Sequence, residues 1–302
     1  MSETPWTRRA AFGAALATAV IVAAWPDALV AAWQQLASLI TVKGEPIAAS
    51  PAIISEHEIE ELEALEPQAQ AERLLERSIN HYAGAAELIE RRVDGWVGKI
   101  VLSGSLSSLY MTALNANDLR VRAAGLEIYL AANGVTKTTE SLERKIEQSD
   151  DPDPAGRPYF LWIVGVLGNR GVEPQRALEH LLRYVRDPDV ATRQWAVEGI
   201  AILGADGSVV PLLQVFHDDP SPVIRERAAC GLAQSGMLTA RQRWTAIPEL
   251  IRYADDPGLD DQTRGWVFHA LSDISGLRLG KDAALWRTWW ANGPQPLPEI
   301  DR

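Results

Sequence analysis

The chain is poor in the residues that usually supply disulfides, metal sites and nucleic-acid surfaces. Its one cysteine, Cys230, cannot form an internal disulfide or a cysteine-based metal site. Because Cys230 lies in an apolar helical run, we expect it to be a small buried thiol. Basic residues are also in the minority, with 29 Lys and Arg against 40 Asp and Glu and a net charge of −11. This balance argues against nucleic acid as a partner, since nucleic-acid binders cluster Lys and Arg on one face.

Sequence motifs of catalysis are missing too. The adjacent pair His57-Glu58 stands in an acidic run, without a second histidine at the spacing of a zinc-protease helix. The segment Gly276–Lys281 is one residue short of phosphate-loop spacing, and Asp282 replaces the hydroxyl residue that would hold magnesium. No Gly-x-Ser-x-Gly pattern occurs. The other histidines are scattered singly: His81, His180, His217 and His269. We therefore predict a protein that is not an enzyme and that has no cofactor and no metal site.

Residues 1–40 differ in composition from the rest and read as a membrane anchor or signal segment. Arg8 and Arg9 precede an uncharged stretch, Ala10–Trp25, and a second apolar run extends from Ala28 to Ile40. A helix from Trp6 to Trp25 would rise about 28 Å, close to the thickness of the hydrocarbon core of a bilayer. We favour a single-pass anchor with the C-terminal part in the periplasm or outside, because arginines tend to remain in the cytoplasm.

Three other interpretations of this segment remain open. Cleavage after Ala24 or Ala32 would release a soluble exported protein. The run Thr7–Phe12 is also similar to a twin-arginine export signal, with its phenylalanine one place late. The third interpretation is a buried N-terminal helix of a cytosolic protein. The charge asymmetry of the segment and the tryptophans at its ends, Trp6 and Trp25, argue against it.

The next two regions read as a linker and an N-terminal cap. Residues 41–67 are rich in Pro, Ala and Glu, and the spacing of Ile59, Leu62 and Leu65 is compatible with a short docked helix or with a solvated acidic face. Residues 68–114 predict two or three capping helices, over 71–93 and 106–114.

An Asp-Pro dipeptide returns at intervals of roughly 32 to 37 residues, which is the size of a helix–turn–helix unit. Its four copies are Asp151-Pro152, Asp187-Pro188, Asp219-Pro220 and Asp256-Pro257. The units share further positions: arginines at Arg193, Arg225 and Arg264, and small residues at Gly199, Gly231 and Ala270. Glycines that should end helices in a left-handed conformation are Gly168, Gly204, Gly236 and Gly276. These features predict stacked helical repeats over residues 115–293, followed by a Pro-rich tail at 294–302.

The segment Asp219–Ala229 resembles a HEAT or HEAT-like repeat of the phycobilin-lyase type, as does Asp187–Arg193, while Asn117–Ala124 is a looser copy. The resemblance implies an all-α fold, a right-handed α-α superhelix of the armadillo type. It also implies structural ladders that pair Asp189 with Arg193, and Asp219 or Ser221 with Arg225. The whole chain is similar to bacterial membrane-tethered or exported HEAT-repeat proteins of unassigned role.

We therefore expect a scaffold or adaptor that binds another protein and is monomeric until it does so. Candidate partner contacts on the second helices are Glu179, Arg183, Gln214, Glu249 and Arg252. Trp286, Trp289 and Trp290 share one face of the last helix and either seal the end of the stack or form an aromatic anchor patch. Two alternatives remain: a repeat-built lyase or metal-dependent hydroxylase, and a purely structural envelope spacer.

Overall fold

The computed structural model describes residues 52–151 and 156–294, and in these ranges the chain is helical. Extended pairing there is limited to an isolated bridge between Ile53 and Ala83. The all-α prediction is therefore confirmed for the described part of the chain. Its α-helices are α1 (Glu56–Glu63), α2 (Pro67–Ile79), α3 (Ala85–Arg92), α4 (Gly104–Leu114), α5 (Leu119–Ala132), α6 (Thr139–Ser149), α7 (Arg157–Asn169), α8 (Pro174–Leu182), α9 (Val190–Leu203), α10 (Val209–Asp218), α11 (Pro222–Cys230), α12 (Ala240–Trp244), α13 (Ile247–Ala254), α14 (Asp261–Ser275) and α15 (Ala283–Ala291).

The N-terminal apolar segment of residues 1–40 lies outside the described residues. Within 52–151 and 156–294, no helix combines the length and the apolar character that crossing a membrane requires.

The repeats form two layers of helices. The first helices α7, α9, α11 and α14 pack side by side in sequence order. The second layer is looser: α10 packs on α13 and α13 on α15, while a groove separates α8 from α10. This arrangement is that of a HEAT-like helical stack.

Small residues bring the first helices close together. A Cβ atom added at Gly165 would lie 2.3 Å from the carbonyl oxygen of Gly199, and one added at Gly231 would lie 2.7 Å from the Cβ of Ala201. These contacts leave no room for a larger side chain, so the backbones of α7, α9 and α11 can touch.

Of the four glycines predicted to end helices in a left-handed conformation, two do so. Gly204 and Gly276 end α9 and α14 with φ of 60° and 73°, the left-handed conformation that glycine favours. Gly168 lies inside α7, where a Cβ would meet Leu203 at 2.5 Å, so it is a packing residue rather than a helix end. Gly236 is extended, with φ of −76°, because α11 continues through a π-helical turn over Gly231–Ser235 before the chain leaves it.

The N-terminal helices form a second hydrophobic cluster, which meets the repeat cluster at α5. The short helix allowed by the acidic run is present as α1: Leu62 is fully buried, and Glu58 accepts a hydrogen bond from Arg77 at 2.8 Å. The helix predicted over 71–93 is two helices, because the chain turns between α2 and α3 through a left-handed Gly84.

Helix α5 lies in the predicted first repeat but packs mainly on α2, α3 and α4. It also reaches the repeat that begins at Asp219, three units further on, since Nη1 of Arg122 donates to the carbonyl oxygens of Gln234 and Gly236, each at 2.8 Å. In a regular solenoid each repeat contacts only its neighbours, so this link departs from the simple pattern.

Candidate partner-docking groove

The Asp-Pro turns and the arginines that follow them build one edge of the stack. Asp189 begins α9 by accepting a hydrogen bond from the backbone N–H of Thr192 at 2.7 Å. One turn later, the Nη1 of Arg193 donates to the carbonyl oxygen of Asp187 at 2.9 Å, which closes the turn beneath the helix. Arg225 does the same to the carbonyl oxygen of Asp219 at 2.7 Å. The shared arginine therefore has the same local role in successive repeats.

The same arginines also join neighbouring repeats. Arg193 binds the carboxylate of Asp219 in the next repeat through Nε at 2.8 Å and Nη2 at 3.2 Å, and both side chains are buried. Arg225 reaches Asp260 at 2.8 Å and the hydroxyl of Thr263 at 2.9 Å, again one repeat further on. A bidentate pair between buried groups fixes the spacing of adjacent repeats.

The ladder therefore exists, but the expected pairing was only partly right. Arg225 does bond to Asp219, through the carbonyl oxygen, while the carboxylate that it binds is that of Asp260. Asp189 caps its own helix, and the carboxylate that binds Arg193 is that of Asp219, 26 positions later. Helix N-termini attract a carboxylate by their own unpaired N–H groups, so Asp189 is already occupied when the repeats stack.

Between α8 and α10 the second layer opens into a groove of about 640 Å³. Its floor rests on the Arg193–Asp219 pair. Its walls come from one face of α10, from the end of α8 with the residues that follow it, and from the two Asp-Pro turns. The lining residues are Leu182, Val185, Arg186, Asp187, Pro188, Arg193, Pro211, Gln214, Val215, Asp218, Asp219 and Pro220.

The groove combines apolar walls with polar groups that have no partner in the protein. Leu182 is 37% exposed, although it is a large apolar side chain. The side-chain amide of Gln214 and the guanidinium of Arg186 are exposed and make no hydrogen bond or ion pair with the described residues. Apolar surface with a few unpaired polar groups is the usual composition of a binding site.

Of the predicted contact residues on the second helices, Gln214 lines the groove. On α8, Glu179 accepts a hydrogen bond from Gln175 at 3.2 Å, and Arg183 pairs with Asp150 at 3.2 Å. Both Glu179 and Arg183 lie at the surface but outside the groove lining. Through this pair Arg183 also links its repeat to the preceding one, and the carboxylate of Asp150 balances its charge.

Glu249 and Arg252 lie on α13, one helix away from the groove. They pair with each other at 2.9 Å between Nε of Arg252 and the carboxylate. The hydrogen bond from Arg252 is the main cause of a lowered pKa for Glu249, and it raises the pKa of Arg252 in turn. The structure therefore places the five predicted residues on one layer but brings only Gln214 into the groove.

The three tryptophans of α15 differ in exposure. Trp286 is fully buried and its indole N–H donates to the carbonyl oxygen of Gly280 at 3.0 Å, so it cannot serve as a partner contact here. Trp289 and Trp290 are partly exposed and pack on Trp244, with ring centroids 5.8 and 6.0 Å away. Part of Trp289 and Trp290 therefore stays exposed on the last described helix, and the two roles that the sequence allows for them remain predictions.

His217, at the end of α10, bridges two repeats beside the groove. Its Nδ1 lies 2.5 Å from Asp218 and its Nε2 lies 2.9 Å from Asp256, and its ring lies against Tyr253. Burial lowers the pKa of His217, but the hydrogen bonds and charges of the two aspartates outweigh burial, and the net effect is a raised pKa. The imidazolium form therefore holds α10 to the turn after α13.

A serine–histidine pair that sequence reasoning missed lies between α6 and α8. Oγ of Ser149 is 2.6 Å from Nε2 of His180, a distance that suits a nucleophile and its general base. Both residues are fully buried, and burial lowers the pKa of His180 to about 4. A substrate has no access to Ser149, so the pair is part of the core. The two residues are 31 positions apart, and no sequence pattern connects them.

Two further points bear on chemistry. Cys230 is half-buried rather than buried, and burial raises the pKa of its thiol, which makes it a weak nucleophile. Across residues 52–151 and 156–294, no group of three His, Cys, Asp or Glu side chains gathers in a way that could hold a metal ion.

Residues 142–233 match the family model of HEAT repeats. The match extends from within α6 to the π-helical turn after α11, and therefore includes both walls of the groove. The curated proteins include none that matches this chain in sequence. Over the matched segment the chain is thus similar to HEAT repeats, a class of helical solenoid whose members commonly act as scaffolds for protein interactions.

Proposed function

We propose that the chain is a non-catalytic protein-interaction scaffold, and that the groove between α8 and α10 docks a segment of its partner. The observation that carries this proposal is the groove itself, which has apolar walls and two unpaired polar groups, Gln214 and Arg186. Solenoid proteins bind partners on the surfaces that stacked repeats create. The ladder of Arg193 and Asp219 supports the groove, because it fixes the distance between the two repeats that form its walls.

The experiment is affinity capture of the full-length chain from its native membranes after brief crosslinking, read by mass spectrometry. We expect a partner that the wild type recovers and that a Leu182→Asp, Gln214→Arg double variant loses. The matched control is Arg144→Glu, a charge reversal on the exposed face of α6 outside the groove, and it should retain the partner. Far-ultraviolet circular dichroism confirms that each variant is folded. A partner that the double variant captures equally well would contradict the groove as the docking site.

The proposal also predicts a colourless, metal-free protein. Metal analysis and an absorption spectrum of the purified full-length chain test the rival enzymatic classes, the lyase and the metal-dependent hydroxylase. A stoichiometric metal or a visible chromophore would favour the enzyme over the scaffold.

We further propose that residues 1–40 tether the scaffold to the outer side of a membrane. The support is the position of Arg8 and Arg9 before the uncharged stretch Ala10–Trp25. Carbonate extraction of native membranes followed by N-terminal sequencing tests this. An intact N-terminus in the membrane pellet is expected, whereas a soluble protein that begins at Trp25 or Trp33 would show export and cleavage instead.

A further inference from the structure

The dimensions of the groove bear on the shape of its occupant. An α-helix with side chains is about 10–12 Å wide, so roughly one helical turn would fill a space of this size. Helix-in-groove recognition needs anchors spread over about two turns or more. A groove of about 640 Å³ therefore fits a short extended segment better than a helix.

The polar groups of the groove suit an extended main chain. A peptide in extended conformation presents alternating N–H and C=O groups, and the amide of Gln214 offers both an acceptor and a donor. Three of the lining residues are prolines, Pro188, Pro211 and Pro220, which have no N–H of their own and add apolar surface. Gln214 is thus placed to bind the backbone of the segment while the walls accept its apolar side chains.

The charges around the groove favour a basic occupant. Arg193 is neutralised by Asp219 beneath the floor. On the walls, the charge of Arg186 balances that of Asp187. The imidazolium of His217 is shared between Asp218 and Asp256, so one negative charge remains in excess beside the groove. The chain as a whole carries a net charge of −11, which favours long-range attraction of cationic segments.

We propose that the groove binds an extended apolar peptide segment with net positive charge, supplied by the partner protein. This inference rests on the proposed docking function. It adds the chemical class of the docked segment and assigns to Gln214 the recognition of its main chain.

The test is selection from a random nine-residue peptide library displayed on phage, against the full-length chain in detergent. Enriched sequences are then synthesised with a fluorescent label, and their affinities are measured by anisotropy. We expect apolar peptides with Lys or Arg, whose binding weakens as salt rises. Gln214→Ala should weaken them tenfold or more, whereas Gln175→Ala, the same change on α8 outside the groove, should leave affinity unchanged.

The outcomes separate the two proposals. Enriched peptides that are acidic or neutral, but still lose affinity in Gln214→Ala, would overturn the basic class and leave the groove as a docking site. Peptides that bind Gln214→Ala and wild type equally would overturn the role of Gln214. If the groove is filled by a second copy of the chain, sedimentation will show a dimer that Leu182→Asp dissociates, and the peptide proposal falls.

Discussion

The side chain of Arg193 stabilises both the turn of its own repeat and the contact with the next repeat. It closes its own turn through backbone carbonyls and reaches the carboxylate of Asp219 in the next repeat. The recurrence of arginine at this position is visible in the sequence. Its carboxylate partner is not, because that depends on how neighbouring repeats stack and on Asp189 being already engaged as a helix cap.

Replacing Arg193 with methionine should lower the free energy of unfolding by about 3 kcal/mol, because Asp219 would remain buried without its counter-charge. Urea denaturation of the two proteins measures the difference. The control is Arg252→Met, which breaks an exposed pair on α13 and should cost no more than about 0.5 kcal/mol. Equal losses in the two variants would show that the buried pair has no special role.

The low pKa of His180 predicts an acid-sensitive contribution to stability. Burial holds the folded-state pKa at about 4, below an ordinary value near 6.5, so the unfolded chain binds the proton more tightly. The contribution is complete above about pH 6.5 and is lost as the pH falls towards 4, by roughly 3 kcal/mol in all. Urea denaturation of wild type and His180→Gln across this range should show the difference between them shrinking with acid. A constant difference would contradict the assignment.

His217 titrates in the opposite sense. Its pKa is raised because Asp218 and Asp256 outweigh burial, so its contribution is present at low pH and is lost as the pH rises through that raised pKa. Proton NMR of the imidazole ring should give a midpoint above the ordinary value of about 6.5. Asp256→Asn should bring the midpoint down. A wild-type midpoint at or below the ordinary value would show that the bridge does not form in solution.

Among the helices, small residues decide how closely neighbouring first helices pack. α7 and α9 meet backbone to backbone at Gly165 and Gly199. The repeat register in the sequence places Gly199 and Gly231 at one position of successive units, which shows that a small residue recurs there. It does not predict that Gly168 is a packing residue, since a glycine near a helix end has the same appearance in either role.

Substituting alanine for Gly199 should destabilise the protein by about 1–3 kcal/mol, because its Cβ would lie 2.8 Å from both the carbonyl oxygen of Leu161 and the side chain of Leu181. Thermal unfolding followed by circular dichroism measures the change. Gly95→Ala serves as the control, since a Cβ there would have no neighbour within 4 Å. A Gly199→Ala protein as stable as the control would mean that α7 and α9 are further apart than described.

Across the described part of the chain, the stacked repeats meet the N-terminal hydrophobic cluster at α5. The periodic Asp-Pro turns predict the stack, and the structure agrees from α7 to α15. The contact of Arg122 with Gln234 and Gly236 lies beyond sequence reasoning, because it joins residues more than a hundred positions apart. The groove could not be predicted either, because it forms between α8 and α10 only when the repeats stack, and no sequence motif marks it.

The most direct test of the docking groove is amide hydrogen exchange of the full-length chain, alone and with its captured partner. We expect binding to slow exchange in the last turn of α8, along α10 and in the turns at 186–189 and 218–221. Protection confined to α15 and its tryptophans, or to the outer face of α7, α9 and α11, would contradict it.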